Sequence, residues 1–231
     1  MVATDSYRLS VKETTLESAV DGSLEANVPA RTLQELSRVA TAGSPEQIEI
    51  TALGNQVIFN LGPVVISSRL VEGRFPNYRQ LLPESYDHEL NVNGAELLEV
   101  VRRISLLAQK NAPLRLAFTE GELTVSARTP DVGEARETLP VPFAGEPLEI
   151  GFNPEFLRDG LEAVENGDAL LRLISPLRPG LIEAGNRILL PGIDRRRSYS
   201  DRSTFPSARD PRWSRSTRRL LCRGAASVHQ A

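Results

Sequence analysis

Residues 148–164 read LEIGFNPEFLRDGLEAV, a short alternation of apolar and polar residues that passes through Asn153 and Pro154 into leucines at helical spacing. Asparagine is a favoured N-cap because its side chain accepts from the orphan amides of the first turn, and proline suits the first helical position. The stretch therefore predicts a strand, a capped start and an amphipathic helix. Two others share its frame, EANVPARTLQELSRV at 25–39 and ELNVNGAELLEVVRRI at 89–104. Counting from Val28, Val92 and Phe152, a leucine follows five residues later in each, at Leu33, Leu97 and Leu157. Apolar stripes continue at helical spacing through Leu97, Val101, Ile104 and Ala108, and through Leu157, Leu161 and Val164. Between the helices, QIEITALGNQVIFNLGPVVISSRLV and PLRLAFTEGELTVSA alternate around breaks at Gly54-Asn55, Gly62-Pro63 and Glu120-Gly121. Such stretches are antiparallel hairpins. Repeated helices separated by hairpins, without a strand–helix–strand rhythm, predict α+β domains whose helices pack on antiparallel sheets, and the repeat implies duplication.

Composition narrows the function classes. A chain of 231 residues with 40% hydrophobic residues can bury one large or two ordinary cores. Cys222 is the single cysteine, so no disulfide forms within the chain and no cysteine-rich metal site can be built from it. No apolar run reaches the roughly 18 residues of a membrane span, and the start MVATDSYRLSV lacks the regions of a signal peptide. These features predict a soluble cytoplasmic protein with no membrane partner. Charge is unevenly divided: residues 192–231 hold ten Arg and three Asp, leaving −10 on the remaining 191 residues against −3 overall. The Arg/Ser-rich tail, 191–231, has little apolar periodicity and is predicted to be disordered. Two origins fit it. An arginine-rich arm can bind phosphates, and a shifted reading frame in a GC-rich gene gives the same composition, consistent with 25 Arg against 2 Lys.

Catalytic chemistry finds few residues to use. His88, placed in a polar turn, and His229, in the tail, are the only histidines, which excludes a histidine triad and a multi-histidine metal site. Asp5, Asp131 and Glu134 are the loose candidates for a carboxylate–metal nuclease site. No phosphate-binding glycine motif occurs, so no cofactor is implied. The basic residues are more suggestive. Arg31 and Arg38 on the first helix, Arg102, Arg103 and Lys110 at the end of the second, and Arg158 on the third lie on or beside the faces opposite the apolar stripes. Each helix also offers an acidic neighbour, Arg31 with Glu35, Arg103 with Glu99 and Arg158 with Glu162, as a solvated face does. If equivalent helices line one surface, these cations suit sequence-independent contact with duplex phosphates.

Three segments in order, VATDSYRL (2–9), SSRLVEGRFPNYRQLLP (67–83) and EIGFNPEFLRDGLEAV (149–164), resemble the bacterial DNA polymerase III β subunit, the replicative sliding clamp. The resemblance covers about residues 1–182. It implies a DNA clamp fold, with residues 1–86 as an N-terminally incomplete middle domain and 87–190 as the C-terminal domain. The family's first domain and the opening of the middle one have no counterpart, so Met1 reads as a methionine that is internal in relatives. Members are not enzymes. They confer processivity on the polymerase as part of its holoenzyme, encircle double-stranded DNA as a head-to-tail homodimeric ring, and dock the polymerase, the clamp loader and other partners.

By residue-by-residue comparison, the resemblance places Thr4, Ser6, Tyr7, Arg8 and Leu9 on the near side of a partner-peptide pocket. Pro76, Gln80 and Leu81 form its middle, and Asn153, Phe156, Leu177 and Pro179 stand opposite. RFPNYRQLLP (74–83) becomes a stiffened crossing between domains, with Phe75 and Tyr78 as core anchors. One departure stands out. Relatives end in an apolar strand with a methionine-proline-basic pattern, whereas this chain reads GNRILLPGIDRRR and enters the basic tail. A chain lacking the first domain is expected to be monomeric. The alternatives are a metal-dependent 3′–5′ exonuclease acting with the polymerase and a non-specific DNA-binding protein with a basic arm.

Overall fold

The structure is a computed structural model that describes residues 1–5, 7–16, 24–108, 112–129, 133–164 and 167–191, with the backbone of 225–228. Contacts divide the chain into two compact units. The first comprises Met1–Ser6, Val11–Arg79 and Pro206–Ala231, and the second Tyr7–Ser10 and Gln80–Phe205.

The first unit contains β1 (Val2–Thr4), the second half of β2 (Leu9–Lys12), β3 (Ala26–Pro29), α1 (Ala30–Gly43), β4 (Glu49–Leu53), β5 (Gln56–Asn60) and β6 (Val65–Arg69). β4, β5 and β6 form an antiparallel meander whose turns fall where the glycines predict them, at Gly54 (φ 59°) and Gly62 (φ 77°). Both positions need the left-handed backbone that glycine adopts without a Cβ penalty. Leu33, Leu36, Val39 and Ala40 of α1 pack on a small core of Ala26, Val28, Val57, Phe59 and Leu61. The helix starts at Pro29 with no side-chain cap and ends at Ser44, which takes φ 41° and donates its amide to the Ala40 carbonyl at 2.9 Å.

The second unit is a twofold repeat. Its first half runs β7 (His88–Asn93), α2 (Gly94–Ser105), β8 (Leu114–Thr119), β9 (Glu122–Thr129) and β10 (Gly133–Pro140). The second runs β11 (Leu148–Phe152), α3 (Pro154–Glu162), β12 (Asp168–Leu173), β13 (Leu181–Ala184) and β14 (Arg187–Leu190). Each half lends its first strand to the other. β11 pairs with β8, giving the order β10-β9-β8-β11, and β7 pairs with β12, giving β14-β13-β12-β7. Both predicted helix starts are present, with Leu97, Val101, Ile104, Leu157 and Leu161 buried in one core with the strands. α2 and α3 lie against one another. Gly94 permits a close approach at the start of α2, since a Cβ there would stand 2.9 Å from the Gly167 carbonyl oxygen.

Two expectations change. His88 is not in a polar turn but opens β7, its ring 4.9 Å from that of Phe143. In the tail, 192–224 and 229–231 lie outside the described residues, but Ala225–Val228 form β15, antiparallel to both β1 and β3. Tail composition offers no such strand. The pairing comes from its two neighbours, whose ladders with β15 run over Val2–Thr4 and Ala26–Pro29.

Candidate docking and DNA-facing surfaces

The start of α3 is fixed locally. The Asn153 carbonyl-type side-chain oxygen accepts from the amides of Glu155 (2.9 Å) and Phe156 (3.3 Å), and Pro154 occupies the first turn. This sets Phe156 half-buried on the surface of the second unit. Segment Tyr7–Ser10 belongs to the same unit and meets it there. The Arg8 guanidinium lies over the Phe156 ring, 4.7 Å from its centroid, while its Nη1 donates to Asp159 Oδ2 at 2.6 Å. Tyr7 stands beside the same ring with centroids 6.1 Å apart and is 72% exposed. A cation held on one side by a carboxylate and on the other by a ring face keeps its plane fixed. The ion pair is half-exposed, so its worth is positional more than energetic.

Other predicted pocket residues of this unit vary in exposure. Leu81 (47%) and Leu177 (52%) present apolar area, Gln80 is exposed and Pro179 half-buried. Leu9 is only 5% exposed and belongs to the packed interior. Leu81 ends the 3₁₀ turn Tyr78–Leu81, so RFPNYRQLLP is neither strand nor α-helix. Within the first unit, the Thr4 hydroxyl donates to the Asp5 carbonyl at 2.9 Å and Pro76 is half-buried; Ser6 lies outside the described residues. Asp159 was missed by sequence reasoning, and no local signal joins it to Arg8, 151 residues away.

Four of the predicted cations, Arg38, Arg102, Arg103 and Arg158, are tied into ion pairs. Arg102 donates to Glu99 (2.9 Å) and to Glu162 (3.1 Å) on α3, and Arg158 reaches Asp159 (3.3 Å) and Glu162 (3.8 Å). Hydrogen bonds to Glu162 and then Glu99 raise the Arg102 pKa above its already high value. Arg103 does not pair with Glu99; it makes a two-pronged bond to Glu137 of β10, at 2.9 and 2.7 Å. That bond holds the Glu137 carboxyl below the ordinary range and raises Arg103. A carboxylate directly across a guanidinium fork accepts both prongs, which a carboxylate already serving Arg102 does not. On α1 the partner of Glu35 is Arg38 (2.5 Å), and Arg31 is exposed. Lys110 lies outside the described residues. Arg102 and Arg158 also line a shallow cleft of about 540 Å³ with Ser105, Glu162 and Leu106, the last 86% exposed.

Among the described residues no three His, Cys, Asp or Glu side chains come close enough together to hold a metal ion, and no helix is long and apolar enough to cross a membrane. Of the three loose nuclease candidates, Asp131 is outside the described residues, Asp5 belongs to the first unit and Glu134 to the second.

Comparison with known proteins gives a consistent result. The family model of the DNA polymerase III beta subunit central domain matches residues 1–77, and that of its C-terminal domain matches 79–187. The beta sliding clamp of Synechococcus elongatus is 35% identical over 182 residues, covering 77% of this chain and 48% of that protein. That of Streptomyces coelicolor is 32% identical over 186 residues, covering 79% and 50%. The chain thus spans about half the length of the curated relatives it matches. Among solved structures, a Bartonella birtlesii DnaN sliding clamp bound to griselimycin superposes with a TM-score of 0.76 at 28% identity, over 83% of this chain and 53% of that one. Caulobacter crescentus pol III beta gives 0.75 at 27%, over 83% and 53%. Two adjoining domains matched in family order, and carried by the repeated strand–helix units seen in the fold, show that the chain belongs to the DNA polymerase III beta subunit family.

Proposed function

We propose that the chain provides the partner-docking and DNA-facing parts of a sliding clamp, a non-catalytic holder of double-stranded DNA that raises polymerase processivity in the cytoplasm, at the nucleoid. The observation that carries this is the second unit: a duplicated domain whose two helices sit side by side with arginines on their exposed faces. Those cations are compensated by Glu99, Glu137, Glu162 and Asp159, so they attract phosphates weakly and without sequence preference. Weak, mobile contact suits a protein that encircles DNA and must slide. The domains in this proposal are 1–86 and 87–190, with RFPNYRQLLP as the crossing between them; the family model changes between 77 and 79 and the compact unit between 79 and 80, inside that crossing.

Partner peptides dock, in this proposal, on the exposed apolar area of the second unit. Tyr7, Phe156, Leu81, Leu177 and Pro179 supply that area, Leu9 supports it from inside, and Arg8 and Gln80 supply the polar rim. Asn153 acts by fixing the start of α3. Thr4, Ser6 and Pro76 belong to the first unit and enter the proposal through the family resemblance alone. The Bartonella relative, bound to griselimycin, supports a ligand-accepting surface in this family. Calorimetry with a peptide carrying Gln and a Leu or Phe pair tests it. Leu81→Ala and Phe156→Ala should each weaken binding about tenfold or more. Unchanged affinity in folded variants, or divalent-metal-dependent release of nucleotides from DNA by the purified chain, overturns the proposal.

A further inference from the structure

The geometry points to a strand-acceptor site in the first unit, between β1 and β3, which the chain's own β15 occupies as an exchangeable plug. This goes beyond the clamp function proposed above. The two units share a strand order. In the second it is β10-β9-β8-β11, with β11 leading into α3; in the first it is β2-β1-β15-β3, with β3 leading into α1. β15 therefore stands where β8 stands. β8 comes to its place from a hairpin with β9, whereas β15 reaches the equivalent place from the far end of the chain.

Register separates the two occupants. Directly opposed residues of antiparallel strands share a face of the sheet. In the second unit the rows Val125–Leu116–Ile150 and Leu123–Phe118–Leu148 consist of buried residues throughout. In the first, one row runs Val2–Ser227–Asn27 and the next Ala3–Ala226–Val28. Buried Val2 thus shares a row with half-buried Asn27, and buried Val28 shares one with exposed Ala3. The alternations of β1 and β3 are one residue out of phase across β15. β15 bonds to the backbones of both strands, and its sequence, AASV, is small. β1 is a three-residue strand whose Met1–Lys12 bonds join it to β2.

The ligand this site fits is an extended peptide with bulky apolar residues at alternate positions, added antiparallel to both neighbours. β8 shows the chemistry in its own unit: Leu114, Leu116 and Phe118 inward, with Arg115 and Ala117 between them.

The test uses the full 231-residue chain and a labelled peptide with the sequence of residues 113–121, PLRLAFTEG. Ala226→Pro removes a ladder donor from β15. It should expose amides at 2–4 and 26–28 to hydrogen exchange, and the peptide should restore their protection while binding at least about tenfold tighter than to the parent chain, because a tethered competitor is gone. A peptide with Asp in place of its central leucine should not bind. A second variant keeps the plug in place: with Cys222→Ser, the pair Ala3→Cys and Ala226→Cys, directly opposed in register, should form a disulfide that excludes the peptide until it is reduced. Equal binding to the oxidised and reduced pair, equal binding of the Asp peptide, or unchanged exchange at 2–4 and 26–28 in Ala226→Pro overturns the inference.

Discussion

α1 and α2 carry the same kind of sequence and meet different fates. Both present apolar stripes at helical spacing behind a strand whose last inward residue lies five positions before the first leucine. α2 buries Gly94, Leu97, Val100, Val101 and Ile104, packed against α3 and the strands of its own unit. α1 buries no residue fully, and in the same unit Ile50, Leu53 and Val65 stand exposed on the meander. An amphipathic pattern thus fixes which face a helix turns inward; the depth of burial depends on what the rest of the fold supplies to cover it. Stability should be divided accordingly, with the second unit resisting opening more strongly than the first.

The most direct way to break this contrast is truncation of equivalent leucines. Leu97→Ala should cost about 3 kcal/mol in denaturant unfolding of the second unit, whereas Leu33→Ala should cost about 1 kcal/mol in the first, because its surroundings are already open to solvent. Equal losses, followed by amide exchange in each unit, would remove the distinction. Next in size are the helix glycines. Gly94→Ala drives a Cβ to within 2.9 Å of a backbone oxygen and 3.1 Å of Val164 Cγ1, and should destabilise by about 2 kcal/mol. Gly43→Ala, with nothing within 4 Å, should be neutral or stabilise by up to about 1 kcal/mol. Thermal melts of the two variants would sharpen the comparison.

Capping differs in the same sense. Asn153→Ala frees two amides at the start of α3 and should cost about 1 kcal/mol, read from the shift in unfolding midpoint. The smallest effect is electrostatic. Glu137 titrates below the ordinary carboxylate range through its bond to Arg103, so its contribution to stability is present above the unfolded-state pKa and is lost as pH falls through the lower folded one. An NMR titration should find the Glu137 midpoint below that of a free glutamate, and Arg103→Gln should return it toward the ordinary value.

Local features were legible in the sequence. The three strand–helix units, the Asn153–Pro154 start, the apolar stripes and the glycine turns all rest on neighbours within a few residues, where periodicity and turn chemistry act. Partners chosen across the fold were not. Arg103 passes over Glu99, four residues away, for Glu137 on β10, and Arg8 meets Asp159 from the other end of the chain. His88 looked polar because Tyr86, Asp87 and Glu89 surround it in sequence, while its packing is decided by Phe143. β15 was hidden for the same reason: a segment without apolar alternation pairs with two strands far from it in sequence.

The exchange of first strands in the second unit has a consequence for how this domain can come apart. β7 is zipped to β12 and β11 to β8, so neither half owns a complete sheet. Cutting the connection at 144–147 would leave two polypeptides, each holding a strand the other requires. They should elute as one particle, refold only when mixed, and do so at a rate that depends on concentration, turning a single-chain domain into an obligate heterodimer without altering a residue of its core.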